Sequence, residues 1–230
     1  MKHSIFLASL VLLLNSCIFA QDDRNIGSGL SEMTGNISNA KYKGINSVLV
    51  SKSGRLTYEH YFNGFSRDSL HDSRSSFKSI TSILIGIAID KGFIRDVNQK
   101  IYEFFPEDPS FGSDSLKRMI TVKNLLEMKA GFDCEEFNDT KDCEDAMSLS
   151  NDWVKFSLDL PMKNKPGATW SYTSVDPMIL SGVIRKAAKM SVMDFARIYL
   201  FDPLNIKKYR WLIQGKTSFR NFSQIYHTRV

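Results

Sequence analysis

The stretch SRSSFKSITSILIGIAIDKG, residues 73–92, contains the longest apolar run of the chain outside its N-terminus. Its pattern predicts a buried helix that begins near Ser75 and stops at Gly92, a residue suited to the left-handed position past a helix end. Ser75 and Lys78 stand at the front of this helix, and residues three positions apart share a helical face. A segment predicted to be buried therefore carries a hydroxyl and an ammonium side by side.

This pair suits nucleophilic catalysis, because a serine hydroxyl is a weak nucleophile until an adjacent base takes its proton. A lysine serves as that base when burial and nearby positive charge lower its pKa. The start of a helix also favours negative charge that develops nearby. The same Ser-x-x-Lys spacing occurs at Ser38–Lys41, so spacing alone leaves open a helix cap followed by a solvent-facing lysine.

A second polar segment, PGATWSYTS, places Tyr172 and Ser174 in an irregular stretch after a Pro-Gly turn. A tyrosine in such a stretch can relay a proton between the serine and a leaving group. The alternative for Tyr172 is an aromatic ring that packs in a loop.

The overall composition is that of an ordinary globular protein of 230 residues, 43% hydrophobic and 24% charged. This length suits one domain, or one domain with an inserted lobe. The formal net charge is +5, and basic residues are scattered among acidic ones. A nucleic-acid binder concentrates basic charge on one face, so a mixed solvated surface is the better interpretation.

The N-terminus reads as an export signal. A basic start, a short apolar run from Ile5 to Leu14 and a small-residue exit predict a secretory signal over residues 1–20, with cleavage after Ala20. The run is too short to span a bilayer. The rival reading is a lipoprotein box, LNSC, in which Cys17 is lipidated; the protein is then attached to the membrane instead of being periplasmic or secreted.

Export bears on the other two cysteines, Cys134 and Cys143, in GFDCEEFNDTKDCEDA. Two cysteines this close in a loop can form a disulfide in an oxidising compartment. Two reduced cysteines are the alternative. A metal site is less favoured, because the pair has no nearby histidine and the acids lack the spacing of a calcium loop.

The remaining pattern predicts a strand hairpin followed by a largely helical stretch. The strands are expected at Ile45–Ser51 and Arg55–Phe62. Residues 63–72 read as a polar connection. A short helix is expected between Thr121 as N-cap and Gly131 as its end. Two later helices should divide near Met190–Ser191.

Five segments together resemble the β-lactamase-related serine hydrolases in order and spacing. They are SSFKSITSILIGIAIDKGFI, ITVKNLLEMKAGFD, NDWVKFSLDLPM, PGATWSYTS and LFDPLNIKKYRW. That family includes class C β-lactamases, penicillin-binding D-alanyl-D-alanine peptidases, esterases and amide hydrolases. The resemblance covers roughly residues 45–212. It implies an α/β (α+β) fold of the β-lactamase/transpeptidase type, with an antiparallel sheet and a helical lobe.

The resemblance also implies roles for the polar residues. Ser75 would be the acylated nucleophile and Lys78 its proton partner. Tyr172 matches the tyrosine of the family's Tyr-x-Asn element, and Ser174 stands where that element usually has asparagine. Because serine reaches less far than an amide, we expect an amidase or esterase acting on a small-molecule or peptide substrate. No metal, organic cofactor or nucleic-acid partner is implied.

The C-terminal part departs from the family. Its third element, a Lys- or His-x-Gly-like triad on a strand, comes well after the Pro-Leu segment, but this chain ends 26 residues after Leu204. Lys216-Thr217-Ser218 resembles that element only superficially, because it follows the preceding helix too closely. The sequence thus predicts a domain without its C-terminal strands, poorly stable and nearly inactive alone.

The expected division of the chain is a signal peptide at 1–20, a flexible lead-in with at most one short helix at 21–44, a partial β-lactamase-related domain at 45–212 and an atypical tail at 213–230. The alternative function is a non-catalytic relative or gene fragment that binds cell-wall peptides. A basic protein that binds membranes or nucleic acid is a remote third, because its charges are scattered.

Overall fold

The computed structural model describes residues 27–137 and 142–211, together with the strand at 225–227. The predicted signal peptide over residues 1–20, Cys17 included, lies outside the described residues, as does Lys216-Thr217-Ser218. Among the helices that the structure describes, none has the length and apolar character needed to cross a membrane. The chain divides into two compact units, Met1–Ser69 and Leu70–Val230.

The first unit contains a helix and a two-stranded hairpin. Helix α1 spans residues 27–38, and strands β1 (Ser47–Lys52) and β2 (Arg55–Tyr61) pair antiparallel. Ser53 and Gly54 join the strands with φ angles of 52° and 75°. Positive φ at both positions is the signature of the type I′ turn, whose twist matches that of the flanking strands. The predicted hairpin is therefore present, with slightly shifted ends.

The lead-in is more ordered than its composition indicates. The prediction over residues 21–44 is a flexible segment with at most one short helix, whereas α1 occupies much of this segment. On α1, the Thr34 hydroxyl is hydrogen-bonded to the Tyr58 hydroxyl on β2. Glycine, serine and asparagine lower the helix propensity of this segment, and contacts such as this one outweigh that preference.

The second unit is mainly helical. Its helices are α2 (Phe77–Asp90), α3 (Ser110–Ser113), α4 (Val122–Leu126), α5 (Cys143–Leu149), α6 (Trp153–Asp159), α7 (Val175–Ala188) and α8 (Val192–Ala196). Short 3₁₀ turns lie at Arg74–Ser76, Ile101–Phe104 and Lys117–Met119, and a π-helical turn at Arg197–Phe201. Helices α2, α4, α6 and α8 all pack against α7, which forms the centre of the core.

Helix α2 is formed by the apolar part of the stretch 73–92. Leu84, Ile85 and Ala88 lie in its buried face, and burial of a large aliphatic side chain contributes roughly 1.5–3 kcal/mol. The chain leaves the helix through Gly92, whose φ is 73°, as the sequence predicts. The α-helix itself begins only at Phe77, because the three residues before it form a 3₁₀ turn. Ser75 therefore lies on the turn that leads into α2.

The prediction for α4 is right at its start and wrong at its end. The Thr121 hydroxyl accepts the backbone N–H of Asn124 and caps the helix. The helix ends at Leu126, before Gly131. Gly131 instead lies where the backbone of Asn164 comes close. Its φ is 93°, and a Cβ placed there would lie 2.3 Å from the carbonyl oxygen of Asn164.

The helix break in the last third of the chain is confirmed. Helix α7 ends at Ala188, followed by Lys189 in the left-handed region with a φ of 55°. Ser191 then caps α8, because its hydroxyl accepts the backbone N–H of Asp194 at 3.0 Å.

A second small sheet was missed by the sequence prediction. Strands β3 (His71–Asp72), β4 (Tyr209–Trp211) and β5 (Ile225–His227) form an antiparallel sheet in the order β3-β5-β4. The polar segment 63–72 and the tail 213–230 were expected to lack strands. Strands of two or three residues are too short for an alternating pattern to show in the sequence.

Candidate active site

Ser75 is exposed and lies on the 3₁₀ turn Arg74–Ser76, directly before α2. The residue before it, Arg74, has a φ of 42°, a conformation that side chains rarely adopt and that costs on the order of 1–3 kcal/mol. Asp72 supports this turn, because its carboxylate accepts the Arg74 backbone N–H at 3.0 Å and pairs with the guanidinium at 2.8 Å. The predicted nucleophile thus lies on a strained, braced turn.

Lys78 brings the predicted residues together. Its ammonium Nζ donates to the Ser75 Oγ at 3.3 Å and to the Ser174 Oγ at 3.2 Å. The same nitrogen lies 4.8 Å from the centroid of the Tyr172 ring, within the range of a cation–π contact. All four residues belong to the second unit, although Ser174 is far from Lys78 along the chain.

Tyr172 contributes the face of its ring to this arrangement. One contact of the ring is the Lys78 ammonium, and another is the ring of Phe137, 5.8 Å away between centroids. Within the described part of the chain, the structure shows no hydrogen bond from the Tyr172 hydroxyl to Ser75 or Lys78. The relay role that the sequence analysis gives to this phenol therefore stays a prediction.

Two carboxylates beside Ser174 were not predicted as site residues. Glu136 Oε1 accepts the Ser174 backbone N–H, and its Oε2 lies 3.3 Å from the Ser174 hydroxyl. Glu136 also accepts the Thr173 hydroxyl at 3.2 Å. Glu144 Oε1 lies 3.1 Å from the Ser174 hydroxyl. Since a hydroxyl has one proton, Ser174 can donate to one of these carboxylates at a time.

The disulfide Cys134–Cys143 links the loop that carries Glu136 to the start of α5, which carries Glu144. The pairing that the sequence allows is present, with the two Cα atoms 5.4 Å apart. The Cys134 sulfur lies 3.3 Å from the Thr173 hydroxyl, so the bridge contacts the segment that carries Tyr172 and Ser174. The signal for this arrangement was visible in the sequence: each cysteine stands within two residues of a glutamate.

Burial shifts the titration of two acids near this site. Burial raises the pKa of Glu136, and the neighbouring Glu144 acts in the same direction. The Ser174 backbone N–H, the Lys78 ammonium and the Thr173 hydroxyl oppose that rise. Asp176, in the first turn of α7, is 1% exposed. Its burial raises the pKa of that carboxyl well above its usual range.

The described residues contain no group of histidine, cysteine and acidic side chains that could hold a metal ion.

Solved structures share this fold at low sequence identity. A protein assigned as a 6-aminohexanoate-dimer hydrolase from Bacillus anthracis superposes with a TM-score of 0.65 and 17% identity, covering 80% of this chain and 50% of that one. An octameric penicillin-binding protein homologue from Pyrococcus abyssi gives 0.63 and 16%, covering 88% and 54%. A class C beta-lactamase from Rhodobacter sphaeroides gives 0.59 and 16%, covering 80% and 57%.

The chain thus spans about half the length of these solved structures. Among curated protein sequences, no significant match was found. The Beta-lactamase family model matches residues 41–212, which is most of the chain. This range contains every residue of the site described above. On this match the chain belongs to the beta-lactamase family, and it has the β-lactamase/transpeptidase-like fold of serine hydrolases.

Proposed function

We propose that the chain is an exported serine hydrolase that cleaves an amide or ester through an acyl-enzyme at Ser75. One observation carries this proposal: the Lys78 ammonium lies 3.3 Å from the hydroxyl of Ser75 and 3.2 Å from that of Ser174. A nucleophile within reach of a basic group that is itself oriented by a third group is the usual arrangement for covalent catalysis. Membership of the beta-lactamase family supports the same reaction class.

In the proposed reaction, the Ser75 oxygen bonds to the substrate carbonyl carbon while its proton passes to the neutral amine of Lys78. The carbonyl π electrons move to its oxygen, and their return breaks the bond to the leaving amine or alcohol. The leaving group takes a proton from Lys78, with Tyr172 as the proposed relay. Water then releases the acyl group by the reverse steps.

The substrate class that we propose is a small-molecule or peptide amide or ester. Ser174 stands where the family usually has asparagine, and a shorter side chain suits a different carbonyl placement from that of an efficient β-lactamase. One structural relative is assigned as a hydrolase of 6-aminohexanoate dimer. The proposed reaction uses no metal or organic cofactor and no nucleic acid.

Export is proposed from the signal-like residues 1–20, with lipidation at Cys17 as the alternative that would attach the protein to a membrane. The Cys134–Cys143 disulfide suits an oxidising compartment. Removal of the signal in cells can be tested by mass spectrometry of the N-terminal peptide of the mature protein. A mature chain that still begins at Met1 would contradict export by either route.

The central test is labelling of the purified chain with a fluorophosphonate under single-turnover conditions. We expect stoichiometric labelling at Ser75, identified by peptide mass spectrometry, and none in Ser75→Ala. The matched control is Ser76→Ala, which removes the adjacent hydroxyl, a donor to the Ser73 carbonyl, and should leave labelling unchanged. A folded wild-type chain that is not labelled would contradict the proposal and favour the non-catalytic, peptide-binding alternative.

Substrate class is tested by comparing turnover of p-nitrophenyl acetate, a D-alanyl amide and nitrocefin. We expect the ester or the amide to be preferred. Nitrocefin turnover as fast as that of a true β-lactamase would overturn the substrate class while leaving the serine mechanism intact.

A further inference from the structure

A continuous chain of hydrogen bonds leads away from the proposed nucleophile. The Lys78 ammonium contacts Ser75 on one side and donates to the Ser174 hydroxyl oxygen on the other. The Ser174 O–H in turn reaches Glu136 Oε2 at 3.3 Å. This chain provides an exit for a proton, which matters because an ordinary lysine amine is protonated at neutral pH and cannot then accept one.

The serine at position 174 allows this chain of hydrogen bonds to pass a proton. A hydroxyl accepts and donates through a single oxygen, so it can take a proton from one neighbour while passing its own to another. Asparagine, the usual residue of the family's element, accepts through its oxygen and donates through its nitrogen. The serine that looks like a departure from the family pattern is therefore the residue that connects Lys78 to a carboxylate.

We propose that Glu136 is a positioning residue that accepts, through the Ser174 hydroxyl, the proton that Lys78 must lose before it can act as a base. This inference rests on the proposed function. A proton moves from Lys78 Nζ to Ser174 Oγ while the original Ser174 proton moves to Glu136 Oε2. An ammonium and a carboxylate become an amine and a carboxylic acid, Ser174 is unchanged, and the net charge is conserved. The free amine then receives the Ser75 proton during attack.

Glu136 is favoured over Glu144 as the acceptor by how firmly it is held. It receives the Ser174 backbone N–H and the Thr173 hydroxyl besides the Ser174 O–H, whereas Glu144 is an exposed residue that touches Ser174 through one oxygen. The disulfide at Cys134 fixes the start of the loop that carries Glu136. Burial also makes its carboxylate a better proton acceptor, since it raises the pKa of Glu136.

The first experiment measures the rate at which fluorophosphonate acylates Ser75 in a set of variants. We expect Glu136→Gln and Ser174→Ala each to lower this rate roughly 100- to 10,000-fold, the range typical of a lost acid–base path. The double variant should be no slower than either single variant, because both remove the same path. Glu135→Gln is the matched control: Glu135 is the preceding residue, and its carboxylate pairs with Lys163 instead.

A structural role alone would not produce the expected pH dependence. Among the residues that the structure describes, the charged groups that face Glu136 are Lys78 from α2, Glu144 from α5 and Asp176 from α7. Because the relay needs an ionised Glu136, the wild-type acylation rate should fall as this carboxyl gains its proton, at a pH shifted upward because burial raises the pKa of Glu136. This acidic limb should disappear in Glu136→Gln and return in Glu136→Asp.

Three results would overturn the relay while leaving the proposed function standing. They are a Glu136→Gln variant that is acylated as fast as wild type, a large loss in Glu144→Gln in place of Glu136→Gln, and additive losses in the double variant. If wild type is not acylated at Ser75 at all, the proposed function fails first, and the relay needs a readout that does not depend on catalysis.

That readout is the titration of the Glu136 carboxyl by ¹³C NMR, assigned by its absence in Glu136→Gln. The Lys78 ammonium lowers the pKa of Glu136, so Lys78→Met should move its titration midpoint to higher pH. The midpoint of Glu135 should stay in place. A Glu136 midpoint that does not respond to Lys78→Met would show that the two groups are not coupled, and the relay would be wrong.

Discussion

The buried carboxyl of Asp176 provides a prediction that can be worked out from its surroundings. It lies in the core with 1% of its surface exposed. It accepts one backbone N–H, from Ala130, and its Oδ1 has no hydrogen-bond partner among the described residues. The charge that acts on it is the negative charge of Glu136. We predict that Asp176→Asn stabilises the protein at neutral pH, although it removes an ionisable carboxyl from the first turn of a helix.

The sign follows from proton linkage. Burial raises the pKa of Asp176 in the folded state, so the folded chain binds this proton more tightly than the unfolded chain does. The stability that this group contributes is therefore fully present below its pKa in the unfolded chain, about 4. It is lost as the pH rises towards the pKa of Asp176 in the folded chain. The free energy of unfolding should fall by about 1.4 kcal/mol per pH unit in this window. Asparagine matches the protonated carboxyl in size and does not ionise.

The assay is urea unfolding of wild type and Asp176→Asn, followed by tryptophan fluorescence at about pH 4, 5, 6 and 7, a series that starts near the ordinary aspartate pKa. The two proteins should have the same free energy of unfolding at the lowest pH. Above it, the variant should become more stable than wild type by about 1.4 kcal/mol per pH unit, until Asp176 ionises in the folded state. Asp145→Asn, at an exposed position on α5, is the control. Parallel pH profiles for wild type and Asp176→Asn would refute the reasoning.

Two further predictions concern packing and the disulfide. A Cβ at Gly182 would lie 2.7 Å from Val154 Cγ1 and 3.0 Å from Phe105 Cζ, so Gly182→Ala should lower the free energy of unfolding by about 1–3 kcal/mol. The control is the exposed helical Gly86, which has nothing within 4 Å of its Cβ position. Gly86→Ala should raise the free energy of unfolding by about 0.5–1 kcal/mol. If urea unfolding gave the same change for both variants, the packing argument would be contradicted. Replacing both Cys134 and Cys143 by serine should cost about 2–3 kcal/mol, because their bridge closes a short loop; an unchanged urea midpoint would show that the bridge does not constrain the unfolded chain.

The parts of the fold that the sequence predicts are those with a local cause. The hairpin follows from alternating residues and the Ser53-Gly54 turn, and the α7–α8 break follows from the cap at Ser191. The elements that the sequence does not predict correctly have causes elsewhere in the chain. Gly131 is fixed by the approach of Asn164 and not by a helix end, and strand β5 is fixed by pairing with β3 and β4.

The same distinction holds for the site. Ser75 and Lys78 are close in sequence, so helical spacing is enough to bring them together. The irregular segment of Tyr172 and Ser174 is visible in the sequence, but their match to the family's Tyr-x-Asn element comes from the resemblance, because no local rule relates them to α2. Glu136 was missed because its role depends on which side of the disulfide loop faces Ser174, and loop direction has no periodic signal. The sequence feature that points to Glu136 is its position two residues after a bridged cysteine.

The contact between Lys78 and Ser174 joins residues 96 positions apart. Contacts across such a long stretch carry a large loop-closure cost and tend to form late in folding. On the proposed function, we therefore expect labelling of Ser75 to be lost at a lower temperature than the far-ultraviolet dichroism of the helices. The lower of the two temperatures would then report the separation of Lys78 from Ser174.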